Sequence, residues 1–293
     1  MVRSKSTAAV PGVRLSSLDT LWFQVAGTVC NLACTHCLVS SSPTNRTHEM
    51  LSLRQVTAHL ADAAQLGVRE YYFTGGEPFL NAEMEQIIEA TLACGPVTVL
   101  TNGLLIDRAR AERLQRLAGA TDHSLDLRIS LDGYDAESND AVRGPGTFGR
   151  VLRCVARLYR LGLNPVLTVT EVCSAAASPA GRQRFLDLLA ETGVEKPRLK
   201  ILPLFRIGAE ALRGGAYSEW QKLACGDVPA EGWDHLQCSS SRMVTDQGVW
   251  VCPILVNEPT ARMGARLDDA LDAYPLRHQA CWTCHVQGAT CRT

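Results

Sequence analysis

From residue 18 onward the chain alternates two hydrophobic periods. Short apolar runs of strand length recur: LWFQVAG at 21–27, REYYFT at 69–74, VTVLT at 97–101, LDLRISLDG at 125–133, NPVLTVTEV at 164–172 and PRLKILPLF at 197–205. Between them, apolar positions fall three and four apart. Val56, Leu60, Ala63 and Ala64 predict a helix begun at Ser52 and stopped near Gly67. Residues 83–93 and 107–118 read the same way. Thr147 opens a helix with Val151, Leu152, Val155, Leu158 and Tyr159 on one face, and 181–192 give a fifth helix stopped by Gly193. Six strands alternating with five helices predict an α/β fold with parallel strands and helices outside. The alternation stops after about Gly208. RMVTDQGVWVC then predicts a hairpin turning near Asp246–Gly248. The expected organisation is an N-terminal arm over 1–17, a barrel-like unit over 18–208, a linker over 209–235 and a small appended domain over 236–293.

Composition narrows the chemistry. The 293 residues carry a formal net charge of -1 and are 46% hydrophobic, so the chain can bury an ordinary core. Near-neutral charge argues against nucleic acid or an acidic membrane surface as the main partner. No run approaches the roughly 20 apolar residues of a membrane helix. MVRSKSTAAVPGVR has positive charge but no apolar stretch behind it, unlike a signal peptide. The expectation is a cytoplasmic protein with no membrane and no nucleic-acid partner. Its 12 cysteines would then be reduced, and metal binding is the usual reason for so many thiols.

Cys30, Cys34 and Cys37 form C-x3-C-x2-C directly after the first long strand. Three thiolates hold three irons of a four-iron cluster and leave the fourth open. A closed cluster takes four cysteines, whereas catalysis needs a vacant position. Zinc with a distant fourth ligand such as His36 is the alternative, although its ligands favour paired knuckles. CNLACTHC at 30–37, TGGEPFL at 74–80, TNG at 101–103 and SLDG at 130–133 together resemble the radical S-adenosylmethionine (radical SAM) superfamily, over roughly 18–208.

The resemblance implies a partial (β/α)6 TIM-like barrel with its chemistry at the C-terminal ends of the strands. It implies a SAM-binding 4Fe-4S cluster on Cys30, Cys34 and Cys37, S-adenosyl-L-methionine (SAM) chelating the open iron, and an electron donor such as flavodoxin or ferredoxin. Reductive cleavage of SAM would yield a 5′-deoxyadenosyl radical that abstracts hydrogen from a C–H bond. By position, His36 would lie near the adenine. Gly75, Gly76 and Glu77 match the GGE motif, with the Glu77 carboxylate accepting from the methionyl ammonium. Thr101, Asn102, Ser130 and Asp132 would face the same mouth, and Arg143 would pair with the SAM carboxylate. Each has a plainer reading: a glycine turn, an Asn-Gly loop, capping groups, an exposed loop histidine.

A second group comprises Cys225, Cys238, Cys252, Cys281, Cys284 and Cys291. It resembles the auxiliary-cluster domains of radical SAM enzymes, the one-cluster Twitch type more than the two-cluster SPASM type, and implies a second auxiliary 4Fe-4S cluster. Two ligand sets stay open. Cys238, Cys252, Cys281 and Cys284 form one. In the other, Cys291 replaces Cys252, which is left as a hydrogen-atom donor to a substrate radical. A zinc knuckle is the remaining option, and Cys94, Cys154 and Cys173 read as packing residues. The surplus thiol favours epimerisation of a small-molecule substrate, a carbohydrate or aminoglycoside-like natural product. The arm before the barrel is short for a peptide-recognition domain. The layout is similar to that of neomycin C epimerase and 2-deoxy-scyllo-inosamine dehydrogenase types in antibiotic biosynthesis. The alternatives are a dehydrogenase with the auxiliary cluster as electron acceptor, a peptide-modifying maturase, or a zinc-bound interaction module. Glu171, Arg206 and Glu210 are candidates to touch a polar ligand, or else solvated loop charges.

Overall fold

The computed structural model describes residues 10–172, 175–225 and 235–287. After a short β1 (Gly12–Val13), the apolar runs become β2 (Thr20–Gln24), β3 (Glu70–Thr74), β4 (Val97–Thr101), β5 (Leu125–Ser130), β6 (Val166–Thr170) and β7 (Arg198–Leu202). These six pair in chain order and are all parallel. Parallel neighbours need crossovers, and these carry α1 (Leu53–Gln65), α2 (Met84–Leu92), α3 (Arg108–Gly119), α4 (Ala136–Arg143), α5 (Thr147–Arg160) and α6 (Pro179–Glu191). The result is the expected α/β architecture, a partial TIM-like barrel.

Local chemistry sets the element ends. Ser52 caps α1 by accepting from Gln55 N, and the Gln55 side chain returns the bond to Ser52 N. Helix α4 has no counterpart in the hydrophobic pattern. Its two buried residues are Asn139 and Arg143, so burial there leaves no apolar period to read. Period-two alternation sorts the strand residues. Leu127 and Ile129 of β5, Val97 and Val99 of β4, and Leu167 and Val169 of β6 enter the core beneath the helices. Arg128, Ser130, Leu100 and Thr170 line the barrel interior instead.

Beyond β7 come α7 (Ala209–Gly214), β8 (Ser241–Thr245), β9 (Gly248–Trp250), β10 (Arg262–Gly264), β11 (Tyr274–Pro275) and α8 (Ala280–Gln287). β8 and β9 form the predicted hairpin, with Gly248 at φ +113° just past its turn. β8 also pairs parallel with β2, so the hairpin extends the barrel's own sheet to nine strands in the order β10-β9-β8-β2-β3-β4-β5-β6-β7. β11 pairs antiparallel with β1, setting Gly12 opposite Pro275 and Val13 opposite Tyr274. Trp22 stacks on Tyr72 with ring centroids 4.3 Å apart, in a core shared with Met243 and Trp250. Among the described residues, no helix is long and apolar enough to cross a membrane.

Candidate active site

The loop after β2 returns the three cysteines of the first motif to one place. Cys30 N donates to Ser42 O at 3.1 Å and Ser42 N to Thr28 O at 3.3 Å, which closes the loop at its base. Inside it, Leu32 N reaches Cys30 Sγ at 3.4 Å and Ser41 N reaches Cys37 Sγ at 3.2 Å. Backbone N–H groups aimed at sulfur favour thiolates. Burial acts the other way. It pushes the Cys30 thiol up to about 12 and the Cys34 thiol up to about 11, with repulsion from neighbouring thiols adding to it. Cys30 and Cys34 thus give up their protons most readily when a cation replaces them.

Gly76 locks this loop to β3. A Cβ there would lie 1.9 Å from Val29 O, so no other residue fits. Gly76 N donates to Gly27 O and Glu77 N to Val29 O, each at 2.9 Å. Glu77 then turns inward and is fully buried. Its Oε1 accepts from Thr101 Oγ1 at 2.7 Å and Phe79 N at 3.1 Å, and its Oε2 accepts from Asn102 N at 2.8 Å. Burial raises the Glu77 carboxyl above its ordinary range, and these bonds only partly offset it. Asn102 Nδ2 donates to Asn31 Oδ1 at 2.8 Å, and this seats the end of β4 against the cysteine loop.

A charged cluster stands on the other side. Asp132 is shut away from solvent beyond β5, and its Oδ1 accepts from Thr170 N at 2.7 Å. Its Oδ2 faces Arg143 Nε at 2.6 Å and His36 Nε2 at 3.1 Å. Burial alone would raise the Asp132 carboxyl, but Arg143 and His36 outweigh it and hold it well below the usual carboxylate range. Thr35 N donates to Val142 O at 3.0 Å and fixes α4 to the cysteine loop.

A cavity of about 230 Å³ opens between these groups. Cys30, Cys34, Cys37, His36, Gly75, Gly76, Thr101, Asn102, Ser130 and Arg143 all line it. Glu77 and Asp132 do not; they stand behind the wall and brace it. Glu171, Arg206 and Glu210 are also absent from the lining, and Glu210 is buried against Arg213 at 2.8 Å. Three residues that matter here escaped the sequence reading. Asn31 and Asn139 carry no signal beyond their loop and helix positions. Arg128 does carry one, as a lone cation inside an otherwise apolar strand run.

The donor set suits a cluster and a nucleotide-sized ligand. The three thiols share one wall, the glycines leave backbone exposed to the cavity, and His36 Nδ1 is buried with no hydrogen-bond partner among the described residues. Among the described residues, no three His, Cys, Asp or Glu side chains gather closely enough for a single metal ion. A four-iron cluster sets each thiolate on a different iron, so its ligands need not meet at one point.

A second, smaller cavity of about 30 Å³ gathers Cys238, Cys252, Cys281 and Cys284 on one apolar wall. Burial pushes the Cys238 thiol up to about 11, with Arg242 opposing it. Burial also raises Cys281, and Cys252 and Cys238 raise it further. The Tyr274 hydroxyl and Gln237 Nε2 belong to residues of the same wall. Both are buried without a hydrogen-bond partner among the described residues, and they suit a sulfur-rich anion. Cys252 lines this cavity and not the barrel cavity, whereas Ile254 lines both. Cys225 is exposed, Cys94 is exposed and Cys154 is buried in the core. Cys291 and Cys173 lie outside the described residues.

The chain is similar to known proteins in sequence and in fold. The chain is 37% identical over 134 residues to the mycofactocin maturase MftC of Mycobacterium ulcerans, covering 45% of this chain and 34% of that protein. It is 34% identical over 144 residues to GTP 3′,8-cyclase of Chlorobaculum tepidum, covering 48% of this chain and 40% of that one. The matches thus span well under half the length of these curated relatives. In fold, it matches Streptococcus suis SuiB bound to precursor peptide SuiA with a TM-score of 0.67 at 15% identity, over 89% of this chain and 66% of that one. Native anSMEcpe with bound AdoMet matches with a TM-score of 0.63 at 16% identity, over 90% of this chain and 82% of that one. The Radical SAM superfamily model matches residues 25–173, half of the chain. Motif, fold and match agree: the chain belongs to the radical SAM superfamily, whose members use a 4Fe-4S cluster and S-adenosylmethionine.

Proposed function

We propose that the protein is a radical SAM dehydrogenase of a substrate bound in the barrel. Cys30, Cys34 and Cys37 would hold the SAM-binding cluster, and Cys238, Cys252, Cys281 and Cys284 an auxiliary 4Fe-4S cluster. When bound, the first cluster and SAM supply one-electron cleavage of a carbon–sulfur bond and a hydrogen-atom acceptor, while the second cluster supplies a one-electron acceptor. In this reading the substrate loses a hydrogen atom, an electron and a proton.

The chain's own residues would orient the reactants and exclude water. Arg143, aimed by Asp132, would take the SAM carboxylate. His36, whose Nδ1 is buried without a hydrogen-bond partner among the described residues, would serve the adenosyl part, and Asn102, Thr101 and Ser130 would offer hydroxyl and amide groups at the strand ends. Glu77 acts through Thr101 and Asn102 as a positioning residue.

One observation carries the choice of oxidation over epimerisation. Among the described residues lining the barrel cavity, the cysteines are Cys30, Cys34 and Cys37. Cys252, the thiol expected to return a hydrogen atom, stands with three other thiols on the second cavity. The segment carrying Cys252, Pro253 and Ile254 forms the wall between the two cavities, a short path for an electron. The named relatives, a maturase and a structure bound to a precursor peptide, support a peptide among the candidate substrates.

Anaerobic turnover in heavy water with dithionite and SAM tests the reading. Oxidation lowers the substrate mass by two hydrogens. Incorporation of one solvent deuterium with the mass otherwise kept would restore the epimerase.

A further inference from the structure

Strand β2 sends Leu21 and Phe23 into the core beneath the helices, so alternation turns Trp22 and Gln24 into the barrel, where both line the cavity. Each is 1% exposed. Trp22 stacks on Tyr72, yet its indole Nε1 has no hydrogen-bond partner among the described residues. Gln24 is tied down at one end only. Its Nε2 donates to Gly27 O at 3.0 Å. A carbonyl can only accept, so this bond fixes which way the side-chain amide faces and leaves Oε1 for another partner. Gln24 Oε1 has none among the described residues. Buried polar groups are seldom left unpaired, and two on one strand face of a cavity point to a ligand that satisfies both.

The two atoms differ in what they ask for. An indole N–H can only donate, and the Gln24 carbonyl oxygen can only accept. The matching group therefore carries an acceptor and a donor together. Trp22 and Gln24 lie roughly 7 Å apart along β2, within reach of one group hydrogen-bonded at both ends. A carboxylate only accepts and an ammonium only donates, so each satisfies one residue and opposes the other. Secondary amides and hydroxyls qualify, and the surroundings choose between them. The accessible wall is mostly apolar, with Leu100, Leu202, Phe205, Met243 and Ile254 on it. In the proposed reading Thr101, Asn102, Ser130 and Arg143 serve SAM, and Arg128 of the same wall already donates to Thr168 Oγ1. A polyol would leave its remaining hydroxyls unpaired against such a wall, whereas the substituents of an amide can be hydrocarbon.

We propose that Trp22 and Gln24 hold a secondary amide of the substrate, with Trp22 Nε1 donating to its carbonyl, Gln24 Oε1 accepting from its N–H, and an apolar substituent against the cavity wall. The proposal rests on the barrel cavity being the substrate site. A peptide bond and an N-acylated amino sugar offer the same group, and the test separates them.

The test is anaerobic calorimetric titration of the reconstituted holoenzyme with SAM present. One pair of probes is N-acetyl-L-leucyl-L-leucine N-methylamide and its fully N-methylated counterpart. The other is N-hexanoyl-D-glucosamine and 2-O-hexanoyl-D-glucose. The second member of each pair keeps the carbonyl and lacks the amide N–H. In at least one pair the amide should bind roughly tenfold or more tightly than its analogue, and the pair that discriminates identifies the source. Gln24→Met removes the acceptor at similar length and should erase that ratio. Trp22→Phe keeps the stacking on Tyr72 and should weaken both members by the same factor, leaving the ratio intact. The wild-type comparison stands even where a variant fails to fold. The proposal is overturned by analogues that bind as well as the amides, by no amide binding, by a ratio that survives Gln24→Met, or by amide affinity unchanged in Trp22→Phe. It is also overturned if both variants weaken SAM by the same factor as the amide, which would give the pair to the cofactor. Deoxyadenosine release by the same wild-type preparation tests the radical reading separately.

Discussion

The Arg143 guanidinium meets the Asp132 carboxylate at 2.6 Å, with both side chains buried. Removing one partner of such a pair strands the other charge, at a cost of about 3–5 kcal/mol. Asp132→Asn should therefore destabilise the apoprotein by about that amount and raise the SAM dissociation constant by roughly tenfold or more. The folded carboxyl titrates below its unfolded value of about 3.9. Its contribution is thus fully present above that pH and lost as pH falls through the lower, folded value. Denaturation curves of wild type and variant should differ by a constant gap from pH 6 to 8. The gap should close only in strong acid.

Glu77 behaves oppositely, because burial raises its carboxyl from an ordinary value of 4.5. The native state then binds the proton more tightly than the unfolded chain, and stability falls as pH rises from 4.5 through the raised value. Gln at this position presents an amide N–H₂ toward donors already aimed at the carboxylate, a loss of about 2 kcal/mol. Urea denaturation of the apoproteins should show Glu77→Gln less stable, with the gap to wild type wider at pH 5 than at pH 8.

Thiols pushed up to about 12 at Cys30 and about 11 at Cys34 are protonated at neutral pH. Loading the first site should therefore release thiol protons and proceed further at pH 9 than at pH 7. A pH-stat trace, blanked with the triple alanine variant of Cys30, Cys34 and Cys37, measures this directly. Release of no more protons than the blank would contradict it.

Much of this was legible in the sequence, for identifiable reasons. β2 through β7 are apolar runs in a parallel sheet, and buried faces leave that pattern in the chain. The cysteine loop and the glycines were readable because spacing and backbone contact restrict residue type so severely. Helix α4 was not, since it buries Asn139 and Arg143 instead of an apolar stripe. The direction of Glu77 was also hidden. Its partners Thr101 and Asn102 lie on a different strand end, and only the parallel packing of β3 on β4 joins them. The grouping of Cys252 with Cys238, Cys281 and Cys284 depends on where the hairpin and α8 come to rest, which spacing alone does not fix.

Arg242 is the charged neighbour of the second thiol group. It is fully buried and donates to Ala270 O at 2.6 Å, Cys238 O at 2.8 Å and Asp272 O at 3.2 Å. Burial lowers it to about 10, yet it stays a cation at neutral pH. A fixed positive charge beside a cluster favours its reduced form. Arg242→Gln should move the midpoint potential of the auxiliary cluster to more negative values, and Arg242→Lys should move it less. An anaerobic redox titration followed by electron paramagnetic resonance reads the shift.

Two separate thiol sites, one with three sulfurs and one with four, underlie the proposed chemistry. The most direct measurement is iron and sulfide content after anaerobic reconstitution of wild type and of the combined Cys30→Ala, Cys34→Ala and Cys37→Ala variant. Wild type should hold about eight irons per chain and the variant about four, in a cluster that adding Cys252→Ala removes or degrades. A triple variant without iron, or one whose iron is indifferent to Cys252, would contradict the second site and with it the oxidative reading.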